Sequence, residues 1–441
     1  MQFYQDDQRF VFLETTKKHK FSLLRMEKLP WSERAMLSAS RERSMSKIGS
    51  GAVWLFLVLL ICLSPRPAAF AQQSPERIVS PEVSADHRVT IRFHAPKAKK
   101  VWVSIDGYRK PLRMTKDQSG VWSVTTDPLV PDFYGYSILR DGLFRVDPNN
   151  PMVRPNLFFS DNNVHVSGPS SLPWEMNDVP QGQVRRHFYH SNVVGDDRDF
   201  YVYMPPSYDV SAEQRYPVLY LLHGFSDEAN AWTLIGRANV ILDNLIAQGK
   251  AKPMIVVMPL CYGTGEIVAH GGLVTRARGL SAASYEKFGE ALVQEVIPMV
   301  ESTYRVKTDR ESRAIAGLSM GGSEALIIGL NNLDRFAYLG AFSSVGMNNR
   351  YAARFPNLDS SAAAKLRVFW ISCGRDDLLL KENRNFRDWL ASKGIYVQWV
   401  ESPGAHWWTV WRRNLSDLVP QLFQENSVPS DNWTQQVQPQ R

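Results

Sequence analysis

The sequence predicts an α/β domain with a mainly parallel sheet, preceded by a small all-β antiparallel sandwich. Three observations carry that reading. From about Val184 to 425, continuous apolar runs alternate with segments of helical spacing, as buried parallel strands and their crossover helices do. Upstream, from about Ile78 to Val166, short alternating strands are divided by turn signals, and no long amphipathic helix interrupts them. Between the two, Ser167-Gly168-Pro169-Ser170-Ser171-Leu172-Pro173 leads to Gln181-Gly182, a composition that reads as a linker over 167–183.

The chain begins with a leader over 1–71. It holds 11 Lys/Arg and 6 Asp/Glu, a net of +5 out of the whole chain's +7, so the remainder is close to neutral and a nucleic-acid surface is not indicated. Arg41, Arg43 and Lys47 precede the apolar run Ala52 to Leu63, and Ala69-Phe70-Ala71 offers small residues for cleavage, the pattern of a secretory signal peptide. The run is shorter than the ~20 residues that span a bilayer, so a secreted or periplasmic product is expected, with no membrane role beyond the signal segment. The long stretch before Met36 or Met45 points to an upstream start codon. At 441 residues and 44% hydrophobic, the chain has room for two or three domains with a large core.

In the sandwich region the strands are expected at Val89 to Phe93, Lys100 to Ile105, Gly120 to Val124 and Tyr134 to Ile138, with turns at Asp106-Gly107 and Asp141-Gly142. The α/β part opens with alternating strands at Val184 to Phe188 and Asp199 to Met204. The apolar strands Tyr216 to Leu222 and Met254 to Met258 follow. Helices are expected at Ala238 to Gln248, Tyr285 to Thr303 and Asn383 to Lys393. The last strands are Tyr338 to Phe342, Arg367 to Cys373 and Val397 to Val400, and a terminal helix runs from about Arg412 to Gln424. The polar, Gln- and Pro-rich tail 426–441 is expected to be disordered.

One stretch organises the chemistry. Arg313 to Leu318 is apolar, Gly317-Leu318-Ser319-Met320-Gly321 is Gly-x-Ser-x-Gly, and Ser323 to Ile328 has helical spacing, so the order is strand, sharp turn, helix. Side chains at Gly317 or Gly321 would collide with the neighbouring backbone of such a turn. A serine nucleophile needs a base, and that base needs a carboxylate. Of the histidines only His406 follows Ser319, just beyond an expected strand, so the base is nearly forced. For the acid, Gly374-Arg375-Asp376-Asp377 closes the preceding strand; Asp377 is the choice and Asp376 the fallback. Glu324, Asp334, Glu382 and Asp388 fall on helical or connecting patterns and are assigned solvated roles. Two N–H groups, those of Met320 at the helix start and Phe225 in Leu221-Leu222-His223-Gly224-Phe225, are placed to serve an oxyanion. His223 itself is read as structural.

The catalytic half resembles the feruloyl esterases of carbohydrate esterase family 1, in the esterase D-like group of α/β-hydrolases. The resemblance lies in Leu221-Leu222-His223-Gly224, Gly236-Arg237-Ala238-Asn239, Ala316-Gly317-Leu318-Ser319-Met320-Gly321-Gly322, Cys373-Gly374-x-x-Asp377 and Gly404-x-His406-x-x-x-x-Trp411, and spans about Val184 to Phe423. Val101-Trp102-Val103, Gly120-Val121-Trp122 and Asp147-Pro148 resemble the early-set, immunoglobulin-like sandwich of carbohydrate-binding module family 48, which implies contact with glycan or simple packing on the catalytic domain. Trp102 and Trp122 fit either role.

The resemblance implies an extracellular serine esterase acting on feruloyl or acetyl esters of xylan-type polysaccharide, without metal or cofactor. Ser319 would be the nucleophile, His406 the base, Asp377 the acid, and Phe225 and Met320 the oxyanion donors. An α/β-hydrolase sheet would also keep Cys261 and Cys373 apart as free thiols. Where substrate is chosen the chain departs from the family, in the glycine-rich loop Leu260 to Ala283 and in Trp407-Trp408. Trp232, Trp407 and Trp408 make either an aromatic slot for a ferulate ring or part of the core. Two other readings remain: a siderophore trilactone esterase, and a non-catalytic glycan-binding protein. Oligomeric state is not legible.

Overall fold

A computed structural model describes residues 77–424 apart from 211, 266, 268–279 and 346–349. The leader, the tail and most of the glycine-rich loop lie outside the described residues.

In the sandwich, alternation fixes which face is buried. The strand Val89–His94 turns Val89, Ile91 and Phe93 inward and Thr90 and Arg92 outward. It pairs antiparallel with Val121–Thr125. Across a shared core lies a second antiparallel sheet built on Val101–Ile105, Asp132–Arg140 and Asp161–Val166, in which Val103, Ile138 and Val166 are fully buried. Trp122 belongs to this core, its indole N–H donating to the Ala95 carbonyl at 2.9 Å, whereas Trp102 stays on the surface. The sequence-based strands fall within one to two residues of these bounds at most ends. Asp161–Val166 has little apolar character, with His165 and three polar residues among six, and carried no strand signal.

The third sheet has, among the described residues, eight strands in the order Gln183–Ser191, Asp196–Met204, Ile255–Pro259, Val218–Leu222, Arg313–Leu318, Tyr338–Phe342, Val368–Gly374 and Gln398–Ser402. The first two are antiparallel to their neighbours and the rest are parallel. The central strands, every residue buried, are the continuous apolar runs of the sequence. Helices Ala238–Ala247 and Trp408–Leu418 contribute to the core on one face, and Ala282–Ala291 to the core on the other. Because parallel strands point the same way, the ends of Val218–Leu222, Arg313–Leu318, Val368–Gly374 and Gln398–Ser402 gather at one edge. Cys261 and Cys373 are free and buried, with three strands between the strands they follow or end.

One expectation needs correction. The terminal helix starts at Trp408, not Arg412, because Trp408, Trp411, Leu415 and Leu418 form one buried stripe at helical spacing. The stretch 167–183, read from its composition as a linker, is largely exposed but is tied down at several points. Trp174 is buried, the carbonyls of Pro173 and Glu175 each accept from Asn244 at 2.8 Å, and the Gly182 N–H reaches Asp243 at 2.9 Å. Its loop-like composition was legible; the helix residues waiting for its backbone groups were not. The described residues from Ile78 on accordingly belong to one compact unit.

Candidate active site

The strand Arg313–Leu318 is buried throughout, and the helix Met320–Asn331 starts one residue after it, so Ser319 must take the whole turn. Its backbone sits at φ 52, ψ −113, a strained conformation for a residue with a side chain. The neighbouring strand holds it there, because its N–H donates to the Phe342 carbonyl at 2.7 Å. A Cβ at Gly317 would lie 2.4 Å from the Gly321 carbonyl oxygen, and one at Gly321 2.4 Å from that of His223, so both glycines are required sterically.

The strand Val368–Gly374 delivers Asp377 and the strand Gln398–Ser402 delivers His406. His406 Nε2 lies 3.0 Å from Ser319 Oγ, and its Nδ1 lies 2.9 Å from Asp377 Oδ2. The Asp377 carboxylate is fully enclosed and also accepts from the Leu379 N–H at 2.9 Å. Burial alone would raise its pKa, but the charge and hydrogen bond of His406, the Leu379 N–H and the Ser343 hydroxyl outweigh burial and hold the carboxyl below the usual range. An ionised Asp377 accepts from Nδ1–H, which leaves Nε2 to accept from the serine hydroxyl. The fallback, Asp376, instead points to solvent and pairs with Arg109 of the sandwich at 2.9 Å.

Two supporting residues were given no role from the sequence, Trp411, quoted there only within a motif, and Ser343, not singled out at all. Trp411 sets its ring edge-on to His406, centroids 4.8 Å apart, and its indole N–H donates to Ser343 Oγ at 3.2 Å. Ser343, at φ 50, thereby braces both the acid and the base from the end of the strand Tyr338–Phe342. The only signal available was that Ser343 follows a strand whose end meets this edge.

Met320 is the first residue of the helix after Ser319, where the dipole is positive. The loop bearing Phe225 crosses Ser319, since a Cβ at Gly224 would stand 3.5 Å from Ser319 Cβ. His223 holds this loop from beneath. Its Nδ1–H donates to the Gly224 carbonyl at 2.8 Å and its Nε2 accepts from the Cys261 N–H at 3.1 Å. Burial pushes its pKa down to about 4, so the ring is neutral and structural, as expected.

Of the two roles open to the three tryptophans, core packing is the one Trp232 and Trp408 take. Trp232 is 0% exposed, with its N–H on the Leu222 carbonyl at 2.9 Å, and Trp408 is edge-on to it at 5.2 Å in the core. Trp407 is buried too, with 9% of its surface left open, directly after His406. Glu324 corrects another expectation. It is fully buried, not solvated, because its helix is apolar on all sides. Asp334 and Asp388 are largely exposed, as expected.

The family model described as "Putative esterase" matches residues 191–422. The chain is similar to an endo-1,4-beta-xylanase/feruloyl esterase of Xylanibacter ruminicola, 31% identical over 78% of this chain, and spans 46% of that protein's length. Among solved structures, it is similar to a carbohydrate esterase family 1 ferulic acid esterase of Anaeromyces mucronatus, 23% identical with TM-score 0.50 over 58% of this chain and 96% of that one. It is also similar to the enterobactin esterase of Shigella flexneri, 19% identical with TM-score 0.59 over 76% of this chain and 94% of that one. At these identities the two structural likenesses establish the α/β-hydrolase fold.

Proposed function

Because this chain belongs to the esterase family and is a carboxylic ester hydrolase, we propose that it is an exported serine esterase removing feruloyl (hydroxycinnamoyl) or acetyl groups from xylan-type plant polysaccharide. The observation that carries the mechanism is the unbroken hydrogen-bonded line from Asp377 through His406 to Ser319. Ser319 Oγ attacks the ester carbonyl while His406 Nε2 takes its proton. The carbonyl oxygen, now an anion, is received by the backbone N–H groups of Phe225 and Met320. His406 returns the proton to the departing sugar oxygen, which leaves the acyl group on Ser319. Water, deprotonated by the same imidazole, then releases the acid. Asp377 remains ionised throughout and stabilises the imidazolium.

The relative from Xylanibacter ruminicola supports the polysaccharide ester reading, and the basic segment, apolar run and Ala69-Phe70-Ala71 support export. A second reading, hydrolysis of a siderophore trilactone, draws on the likeness to the enterobactin esterase. That likeness covers 76% of this chain and so reaches past the α/β part into the sandwich. One panel separates these readings: methyl ferulate, acetylated xylan, the trilactone and a p-nitrophenyl ester, each with the wild type and Ser319→Ala. The xylan-ester reading expects turnover of the first two, and a loss of about 10³-fold or more in Ser319→Ala with the fold intact. Preference for the trilactone would favour the second reading. Full activity in Ser319→Ala would overturn the mechanism, and no turnover of any ester by the wild type would leave only a glycan-binding role.

A further inference from the structure

The loop over Ser319 is held from two sides: the α/β part supplies His223 beneath it and the Tyr262 hydroxyl, which donates to the Asp227 carbonyl at 2.9 Å, and the sandwich region supplies the rest. Ser226, next to Phe225, sits at φ +75, a left-handed backbone unfavourable for a residue with a Cβ. Ser226 and Asp227 are both buried. Partners for both come from the sandwich segment 156–158. The Asn156 side-chain amide donates to Ser226 Oγ at 3.0 Å and to Asp227 Oδ1 at 3.2 Å, and the Leu157 N–H donates to the Ser226 carbonyl at 2.9 Å. Phe158 stacks on Phe225, centroids 5.3 Å apart and planes 24° apart. The same Asn156 shapes its own segment, its carbonyl oxygen accepting from the N–H groups of Phe158 at 3.1 Å and Phe159 at 3.3 Å. One side chain thus fastens together the segment that carries Phe158 and the loop that carries Phe225.

We propose that Asn156 is a positioning residue for the esterase reaction: through Ser226 and Asp227 it fixes the loop whose Phe225 N–H receives the oxyanion, which makes the sandwich part of the catalytic apparatus. This rests on the serine-esterase reading above. A donor aimed at a developing charge gains its strength from being fixed beforehand, and a displacement of about 1 Å costs on the order of 10²-fold in rate. Ground-state binding of the substrate does not depend on that donor, so the loss falls on kcat.

The test uses the full chain, with p-nitrophenyl acetate as substrate. It carries no sugar, so a lost glycan contact moves nothing. Asn156→Ala removes both halves of the clasp. Asn156→Asp keeps acceptors for Phe158 and Phe159 but withdraws the donor from Ser226 and Asp227. Rates are expressed per active site titrated with a serine-directed phosphonate, so a smaller folded fraction does not register. Both variants are expected to lose about 10- to 100-fold in kcat with KM within about threefold of wild type. Phosphonylation of Ser319, which passes through the same oxyanion, should slow in parallel. Kcat within twofold of wild type per titrated site, or loss confined to KM, overturns the proposal. The esterase reading fails separately, through an active Ser319→Ala.

Discussion

Asp376 and Asp377 are neighbours in sequence and opposites in environment. The first is half exposed beside Arg109, and the second is enclosed against His406. Asp377→Asn should therefore lower kcat by about 10⁴-fold, because the imidazole loses the acceptor that sets its tautomer, while Asp376→Asn should stay within about twofold; steady-state kinetics on a p-nitrophenyl ester reads both. Position after a strand narrowed the acid to this pair with Asp377 preferred; what separates their environments is how a turn after Gly374 is folded against Gly404. Ser319 and His406 were more legible: the elbow requires its glycines, and His406 is the only histidine after the serine. Glu324 carries a charge that suggests solvent, but its helix is apolar on every side, which already implies burial. Burial raises its pKa well above the carboxylate range, with the Cys261 thiol and Arg198 opposing. The sign follows: at pH below the ordinary value of about 4.3 folded and unfolded states both carry the proton. As pH rises toward the folded-state pKa only the unfolded state ionises, so stability falls. Glu324→Gln should leave the melting temperature near pH 4 nearly unchanged and raise it at pH 8, a difference that thermal melts across the range would reveal.

At the scale of elements, the helix Trp408–Leu418 does two jobs on successive residues. Trp411 braces His406, and Arg412 runs to the sandwich. There its guanidinium meets Asp132 at 2.7 Å, with both side chains fully enclosed, and also donates to the Ile235 carbonyl at 2.7 Å. Removing Arg412 leaves the enclosed Asp132 carboxylate, among the described residues, with only the longer, 3.4 Å ion pair to Arg413. Arg412→Ala should therefore cost about 3–5 kcal/mol in urea unfolding. Arg109→Ala, which breaks an exposed pair, should cost no more than ~1 kcal/mol. The α/β elements were readable because continuous apolar strands and amphipathic helices have distinct periods. The start of the terminal helix was not, because tryptophans at 407 and 408 fit a pocket wall as well as a helix face. Only the stripe that Trp408 forms with Trp411, Leu415 and Leu418 distinguishes the two.

For the molecule as a whole, the sequence reads as a β-rich front and an α/β rear, and composition could not reveal how closely the two stretches are joined. Contacts such as Asp132 with Arg412 and Asn156 with Ser226 link residues 280 and 70 apart, which no local pattern encodes. A chain lacking residues 78–166 would expose Arg412 and the loop at 224–227. It should melt well below the intact protein and turn over p-nitrophenyl acetate poorly, as calorimetry and kinetics on the two forms would record. Everything in the functional account passes through one covalent state, an acyl group on Ser319. Rapid quenching of the enzyme with methyl ferulate, followed by peptide mass analysis, tests it most directly. The account predicts a feruloyl adduct on the peptide containing Ser319, formed during turnover and absent in Ser319→Ala. Turnover at the full rate with no adduct on that peptide, or an adduct on another residue, would contradict it.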